Sequence, residues 1–238
     1  MIIEAARLAG RNLLAPESRS VFWKILGITV LMLVGLWTLL RGLFMAYALP
    51  WLEHLVPGVP DWAGWLGFVL AIFAGLGLAV GLALLIAPVT AVVAGFFLDG
   101  VAEIIEGRDY PGDRPGESVP IGRAIVYTLK FLGIVIAGNI IALLLLLVPG
   151  INIVAFLLVN GYLFGREFFE FAAMRYRSEE EVRMMRSKYR ATIFAAGLVI
   201  AAFLSIPLLN LLTPLFAAGL MVHLHKMLSA KDPEFALN

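Results

Sequence analysis

Long uncharged runs alternate along this chain with shorter segments that carry most of its charged residues. Two of these runs, 131–165 and 191–222, are each interrupted near the middle by a proline and then an asparagine. The interruptions read Val148-Pro149-Gly150-Ile151-Asn152 and Ile206-Pro207-Leu208-Leu209-Asn210. Lipid offers no partners for unpaired backbone groups, and the alternation typical of a barrel strand is absent. The pattern therefore predicts two broken helical hairpins in a membrane.

Two single spans are predicted before the hairpins. Residues 21–40 and 64–86 can each cross a hydrocarbon layer of about 30 Å, which takes about 20 helical residues. Residues 1–15 mix apolar and charged positions, which favours an amphipathic helix lying in the interface. Pro16 is expected to break the chain between that helix and the first span.

The second span is expected to lead into a charged helix. Pro88 should kink it, and a continuing helix over 88–106 should leave the membrane where three carboxylates fall on one face. These carboxylates are Asp99, Glu103 and Glu106. They could line a vestibule, but a solvated acidic face is favoured. Within the span, Gly77 and Gly81 form a GxxxG pair, which is either a seam for another helix or subunit or a chance pair in a glycine-rich chain.

A capping box predicts the start of a new helix between the two hairpins. In Ser178-Glu179-Glu180-Glu181 the serine can accept from the third backbone N–H while Glu181 reaches back to the serine N–H. We expect this helix to direct its basic residues toward the headgroups and to continue into the first arm of the second hairpin. Those basic residues are Arg183, Arg186, Lys188 and Arg190.

The sequence offers neither a catalytic motif nor a metal site. His223 and His225 are two apart on a helix and so point in different directions, and solvation at the interface is expected for both. Metalloprotease, serine hydrolase and phosphate-loop motifs are absent, and no titratable residue lies inside either hairpin. Zero cysteines exclude disulfides and thiolate chemistry. Neither an enzyme nor a bound cofactor is expected.

Composition places the whole chain in a membrane. Hydrophobic residues make up 61% of the chain and charged residues only 15%, unlike a soluble domain. We expect an all-α integral membrane protein, one membrane domain over 1–238, with two spanning helices and two proline-broken hairpins. Each arm of the first hairpin is shorter than a comfortable span, so partial penetration is expected. A net charge of +1 gives no indication of a nucleic-acid partner.

The distribution of basic residues predicts the orientation. If both spans cross once and each hairpin returns to its starting side, one side of the membrane receives nearly all the positive charge. Of the 18 Lys and Arg residues, only Arg41 lies opposite the N terminus. Because positive charge marks the cytoplasmic side, both termini are expected in the cytoplasm.

The hairpin tips are the candidate binding positions. Paired, proline-interrupted apolar segments in an internal repeat are typical of a transport site. Asn152, just after Gly150, lies in the first turn of a returning helix, whose free N–H groups and positive dipole end favour an anion. Asn210 can supply an amide donor from the second repeat. The alternative is that both asparagines only cap turns. Asn139 and Asn160 either face a pore or bond across helices.

Several motifs occur in a fixed order along nearly the whole chain. They are Pro60-Asp61-Trp62, Trp65-Leu66, Ala87-Pro88, Asp99 to Glu106-Gly107, Val148-Pro149-Gly150-Ile151, and Ile206-Pro207-Leu208-Leu209-Asn210-Leu211 with Pro214. This ordered set resembles the CysZ-type sulfate permeases, which are related to the eukaryotic etoposide-induced membrane proteins. The resemblance implies an oligomeric bacterial inner-membrane protein, with two spanning helices and two pairs of partly penetrating helices, that passes sulfate inward for cysteine synthesis.

One departure from that family bears on the ligand. Its members resemble one another in an adjacent arginine pair after a proline just before the first span. Here Arg19 is kept, but a serine occupies the second position. Losing one cation should weaken the binding of a divalent anion. Arg19 is either an attractor for the anion at the pathway mouth or an ordinary headgroup anchor.

Two functions are consistent with these observations. The first is an anion pathway for sulfate or a similar oxyanion, channel-like or coupled to a partner protein. Its binding positions would be Arg19, Gly150, Asn152 and Asn210. The second is a non-transporting scaffold, whose glycine seam and charged helices bind protein partners or membrane lipid. A homo-oligomer is expected from the resemblance.

Overall fold

The structure is a computed structural model that describes residues 1–48, 50, 65, 69, 73, 75–77, 89, 93–118, 120, 122, 152–206 and 209–237. The chain divides into two compact units, Met1–Phe22 with Gly95–Asn238, and Trp23–Ala94. Most of the predicted span 64–86, the kink at Pro88, and the first arm and break of the first hairpin lie outside the described residues.

Every regular element with described bounds is a helix, which confirms the all-α class for this part of the chain. The α-helices are α1 (Ile2–Leu13), α2 (Pro16–Leu43), α3 (Leu98–Asp109), α4 (Asn152–Met174), α5 (Glu179–Lys188), α6 (Arg190–Leu204) and α7 (Thr213–Lys231). A π-helical turn, Phe44–Ala48, follows α2, and 3₁₀ turns occupy Asn210–Leu212 and Pro233–Phe235. The number of membrane spans stays a prediction.

α2 is, among the described helices, the one long and apolar enough to cross a membrane by itself. Together with the π-helical turn it gives an apolar helix of 32 residues, Pro16–Tyr47. Large apolar side chains are exposed along it, among them Trp23, Leu31 and Leu39, as expected for a helix that faces lipid. The helix begins at Pro16, directly after a two-residue interruption that separates it from α1, so the expected break between the two helices is confirmed. Proline fits the first helical turn because that turn needs no N–H from it.

α7 is the central helix of the unit that contains the C terminus. Every residue from Leu215 to Lys226 is buried, and the helix contacts α1, α3, α4 and α6. The small residues Ala217, Ala218 and Gly219 allow this close approach. A β-carbon at Gly219 would lie 3.2 Å from Ile105 of α3 and 3.4 Å from Ala9 of α1. His223, which directly follows the uncharged run 191–222, is therefore covered by neighbouring helices.

α1 forms the helix that the amphipathic pattern predicts. Its buried residues are Ala5, Ala9 and Asn12, which lie on one face and pack against α7. Ile3 and Leu14 are exposed instead. The buried face of this helix is thus covered by protein, and its depth in a membrane stays a prediction.

Glycines bring α4 and α6 into backbone contact. A β-carbon at Gly197 of α6 would overlap the carbonyl oxygen of Gly161, and one at Gly165 would lie 2.7 Å from the carbonyl oxygen of Ile193. Gly161 and Gly165 are a GxxxG pair, which permits such close helix packing. The pair singled out in the sequence is different: among the described residues, a β-carbon at Gly77 meets nothing within 4 Å, and Gly81 lies outside them.

α5 and α6 are separate helices, so the expected continuous helix is wrong. The predicted capping box is confirmed at the start of α5, with Ser178 Oγ accepting from Glu181 N–H at 3.4 Å and Glu181 accepting from Ser178 N–H at 2.9 Å. The two helix axes meet at 88° on either side of Tyr189. The Tyr189 hydroxyl donates to Asp232 at 2.5 Å and its ring packs on Phe235. The bend is therefore held by residues near the C terminus.

The break predicted in the second hairpin is present. α6 ends at Leu204, and α7 begins at Thr213 with Pro214 in its first turn. The Ser205 hydroxyl donates to the carbonyl oxygen of Ala201 at 2.8 Å, which satisfies one of the last carbonyl groups of α6. The 3₁₀ turn that begins at Asn210 leads directly into α7.

The contact between α4 and α6 predicts a large effect of one methyl group. Gly197→Ala is expected to lower the free energy of unfolding by about 3 kcal/mol, because backbone atoms of α4 cannot repack around it. Gly100→Ala is the matched control, since this exposed helical position has open space for a β-carbon and alanine favours the helix. Thermal unfolding in detergent would compare the two variants. Equal melting temperatures for the two variants would contradict the close backbone contact between α4 and α6.

Candidate anion-binding site

A basic cleft of about 340 Å³ lies among α4, α5 and α6. Its lining residues are Tyr162, Arg166, Arg183, Arg186, Ser187, Arg190, Ile193 and Phe194. Four of these eight residues are arginines, and they come from all three helices. We refer to this site as the arginine cleft.

Local sequence features place the arginines together. Arg166 lies one turn after Tyr162 on α4, so both side chains lie on the same face of the helix. Arg183 and Arg186 are three apart on α5 and share a face in the same way. The bend at Tyr189 directs α5 away from α6, so that Arg190 begins α6 beside the α5 arginines.

Negative charge in the arginine cleft is less than its positive charge. Glu170 accepts from Arg166 Nε at 3.0 Å and also pairs with Arg186, so one carboxylate serves two arginines. Arg183 pairs with Glu179 at 3.4 Å on the exposed surface. Burial, together with the charge of Arg166, lowers the pKa of Arg186. An anion that enters here meets several guanidinium groups, whose fixed forks of N–H donors suit an oxyanion.

Glu167, which follows Arg166 in the sequence, does not offset the excess of positive charge. Burial raises the pKa of its carboxyl group to about 7, although Arg166 acts in the opposite direction. Near neutral pH this group therefore carries only part of a negative charge. The surroundings of the arginine cleft stay positive.

A buried ion pair joins α3 to the end of α4. Arg175 donates to both carboxylate oxygens of Glu106, at 2.9 and 3.1 Å, and also pairs with Asp99. Burial acts to raise the pKa of Glu106, but hydrogen bonds from Arg175 and from the Gly116 N–H lower it below its usual value. The favoured solvated acidic face is therefore wrong for Glu106, which is 5% exposed. Glu103 is exposed as expected.

His223 is buried in a polar network between α1, α3 and α7, so its expected solvation is wrong. Asn12 Nδ2 lies 2.8 Å from Asp109 Oδ2 and 3.0 Å from His223 Nε2, and it can donate one hydrogen to each. His223 Nε2 then accepts, and Nδ1 carries the proton toward the Tyr110 hydroxyl at 2.8 Å. Burial lowers the pKa of His223 to about 4, so the ring is neutral.

His225 is also fully buried, on the opposite side of α7. Its Nε2 accepts from Arg177 Nε at 3.2 Å, and its ring stacks on Tyr176 with centroids 5.2 Å apart. Burial, Arg177 and Lys226 lower the pKa of His225 to about 3. Within the described part of the chain, no three His, Asp or Glu side chains come together as a metal site would require.

The residues predicted to bind an anion are described only in part. Arg19 is exposed in the first turns of α2. Asn152 begins α4 and Asn210 begins a 3₁₀ turn, but their side chains and the whole of Gly150 lie outside the description. The tip site therefore stays a prediction. Asn160 donates to the carbonyl oxygen of Phe156 at 2.9 Å, a bond within its own helix.

The arginine cleft was not predicted from the sequence, which indicated only that the basic residues after Ser178 point toward the headgroups. One signal was available: Arg166 ends one uncharged run and Arg190 precedes the other. Folding the two apolar arms together brings these two ends together. The bend at Tyr189, which adds Arg183 and Arg186, had no comparable signal.

In the part of the chain that the structure describes, the architecture is all-helical, with one exposed apolar helix of membrane-spanning length and a basic cleft beside the apolar arms α4 and α6. Residues 6–214 match the family described as "Sulfate transporter CysZ/Etoposide-induced protein 2.4", and the chain belongs to this family. The resemblance drawn from the ordered motifs is therefore confirmed.

Curated relatives include two proteins named "Sulfate transporter CysZ". The one from Pseudomonas paraeruginosa (strain DSM 24068 / PA7) is 28% identical over 193 residues, which cover 76% of this chain and 78% of the relative. The one from Pseudomonas fluorescens (strain Pf0-1) is 25% identical over 218 residues, which cover 87% of this chain and 85% of the relative.

The buried ion pair predicts a strong dependence on Arg175. Arg175→Ala is expected to lower the free energy of unfolding by about 3–5 kcal/mol, because it leaves the Glu106 carboxylate buried without its partner. Arg114→Ala is the control, since Arg114 and Glu117 form an exposed pair that contributes little. Denaturation in detergent micelles would measure both variants. A loss for Arg175→Ala no larger than for the control would contradict this role.

The buried histidines predict a loss of stability in acid. Their pKa values are below the unfolded value of 6.5, so between pH 6.5 and about 4 the unfolded chain binds more protons than the folded one. Stability is then complete above pH 6.5 and falls on acidification, by about 1.4 kcal/mol per pH unit for each histidine in the middle of this window. His225→Gln should make the melting temperature less dependent on pH over this range. If the melting temperature of His225→Gln depended on pH as strongly as that of the unaltered protein, the lowered pKa of His225 would be contradicted.

Proposed function

We propose that this protein is a transport pathway for sulfate or a similar oxyanion in the bacterial inner membrane. The observation that carries the proposal is family membership over 6–214, together with two relatives named as sulfate transporters. The apolar helix Pro16–Tyr47 and the proline-broken second hairpin support a membrane pathway.

The pathway is built from two spanning helices and two partly penetrating hairpins, with both termini in the cytoplasm. The near-complete placement of basic residues on one side supports this orientation. Asn152 and Asn210 lie at the hairpin tips, where the ion passes. No titratable side chain interrupts either apolar run, which favours passive or partner-coupled passage over a proton relay.

Arg19 attracts the anion at the mouth of this pathway. Its side chain is exposed and enters no ion pair with the carboxylates of the described residues, unlike Arg175 or Arg186. It is therefore available to a ligand. Ser20, the next residue, provides a hydroxyl group but no charge, so the affinity for a divalent anion is modest.

The exposed apolar side of α2 favours assembly with further copies of the chain. Val30, Leu31 and Val34 are all more than half exposed, and lipid or a neighbouring subunit would cover them. A homo-oligomer would give the partly penetrating hairpins the protein surroundings that irregular backbone at membrane depth requires.

Uptake of radiolabelled sulfate by proteoliposomes tests the proposal. Arg19→Ala should reduce saturable uptake at low sulfate by at least about tenfold, because one charge-assisted contact contributes roughly 1.5–3 kcal/mol. Arg7→Ala is the control, since Arg7 is also exposed near the N terminus but pairs with Glu4. Asn152→Leu should abolish uptake by removing the tip amide.

The outcomes separate the parts of the proposal. No uptake by the unaltered protein above empty liposomes would overturn the pathway and favour the scaffold function. Uptake that Asn152→Leu leaves unchanged would remove the tip site while transport stands. Equal losses for Arg19→Ala and Arg7→Ala would show that Arg19 has no special role.

A further inference from the structure

The arginine cleft is positioned at the boundary between apolar and charged chain. Arg166 is the first charged residue after the uncharged run 131–165, and Arg190 is the last before the run 191–222. Both line the same cleft because α4 and α6 pack together. In a bilayer, this boundary lies at the depth of the lipid headgroups.

The lining of the cleft combines an apolar part with a cationic part. Tyr162, Ile193 and Phe194 belong to the apolar arms, whereas Arg183, Arg186 and Ser187 come from α5. The guanidinium groups and the serine hydroxyl can donate to phosphate oxygens. The apolar part suits the glycerol and first methylene groups of a lipid better than it suits a free, fully hydrated anion.

The pairing with Glu170 prepares the cleft for such a ligand. Glu170 holds Arg166 and Arg186 from two different helices, so these guanidinium groups are positioned before a ligand arrives. Because both arginines share one carboxylate, and Arg190 is exposed without an ion pair among the described residues, the positive charge is not neutralised.

We propose that the arginine cleft binds the headgroup phosphate of an anionic phospholipid. The lipid would hold the α4, α5 and α6 junction at the membrane surface, with its acyl chains beside the apolar arms. The same phosphate-type chemistry is present in free inorganic oxyanions, so the test compares the two sources. The proposal does not depend on transport.

Native mass spectrometry of the full chain in a neutral detergent tests the proposal by titrating phosphatidylglycerol against phosphatidylcholine. The protein should retain phosphatidylglycerol at least about tenfold more tightly, since each arginine near an anionic headgroup contributes to binding. The double variant Arg186→Gln and Arg190→Gln should lose this preference. Arg7→Gln with Arg114→Gln is the matched control, because both arginines are exposed and outside the cleft.

A further variant and a displacement measurement make the test decisive. Arg190→Glu reverses a charge at an exposed position without disturbing Glu170, and it should weaken phosphatidylglycerol binding even if the double variant fails to fold. Equal retention of the two lipids, or equal losses in the cleft and control variants, would overturn the proposal. Displacement of phosphatidylglycerol by millimolar sulfate or phosphate would show a site for the free oxyanion and would also overturn it.

Discussion

The burial of α7 is the constraint on which the described architecture depends. A helix without a solvent-exposed residue from Leu215 to Lys226 holds its polar side chains away from water, so they depend on partners in other elements. Lys226 pairs with Asp113 at 3.1 Å and lies 4.2 Å from the centre of the Tyr176 ring. The two histidines avoid the larger penalty of a buried charge by staying neutral. The loops and helix ends around α7 are held in place by these partners.

The cost of burying a charge also distinguishes two groups of arginines in this protein. Arg175 is fully buried, and its donors are used by Glu106 and Asp99, so it holds α3 to α4 and has no capacity for a ligand. The arginines of the cleft are more exposed, and two of them, Arg166 and Arg186, share the single carboxylate of Glu170. Residues of one chemical type therefore stabilise the fold in one place and provide a binding surface in another. Burial and the number of available carboxylates decide between the two roles.

A membrane protein has to place charge close to the membrane without placing it inside. The chain keeps its basic residues outside the uncharged runs 131–165 and 191–222, while glycine contacts bring α4 and α6 together at the backbone. The close contact fixes how the ends of the two runs meet. The positive surface near the proposed pathway is thus a consequence of how the apolar arms pack.

Residue order alone determined the all-helical class, the membrane setting, the capping box at Ser178, the break before Thr213 and the family. Each of these depends on neighbouring residues, on composition or on ordered motifs, which a single sequence displays. Tertiary structure alone decided the burial of His223, the pairing of Glu106 and the assembly of the arginine cleft. Asn12 and His223 are 211 residues apart, and Glu106 and Arg175 are 69 apart. Whether such a polar residue is solvated or buried depends on which distant helix packs over it. The local pattern of residues does not identify that helix.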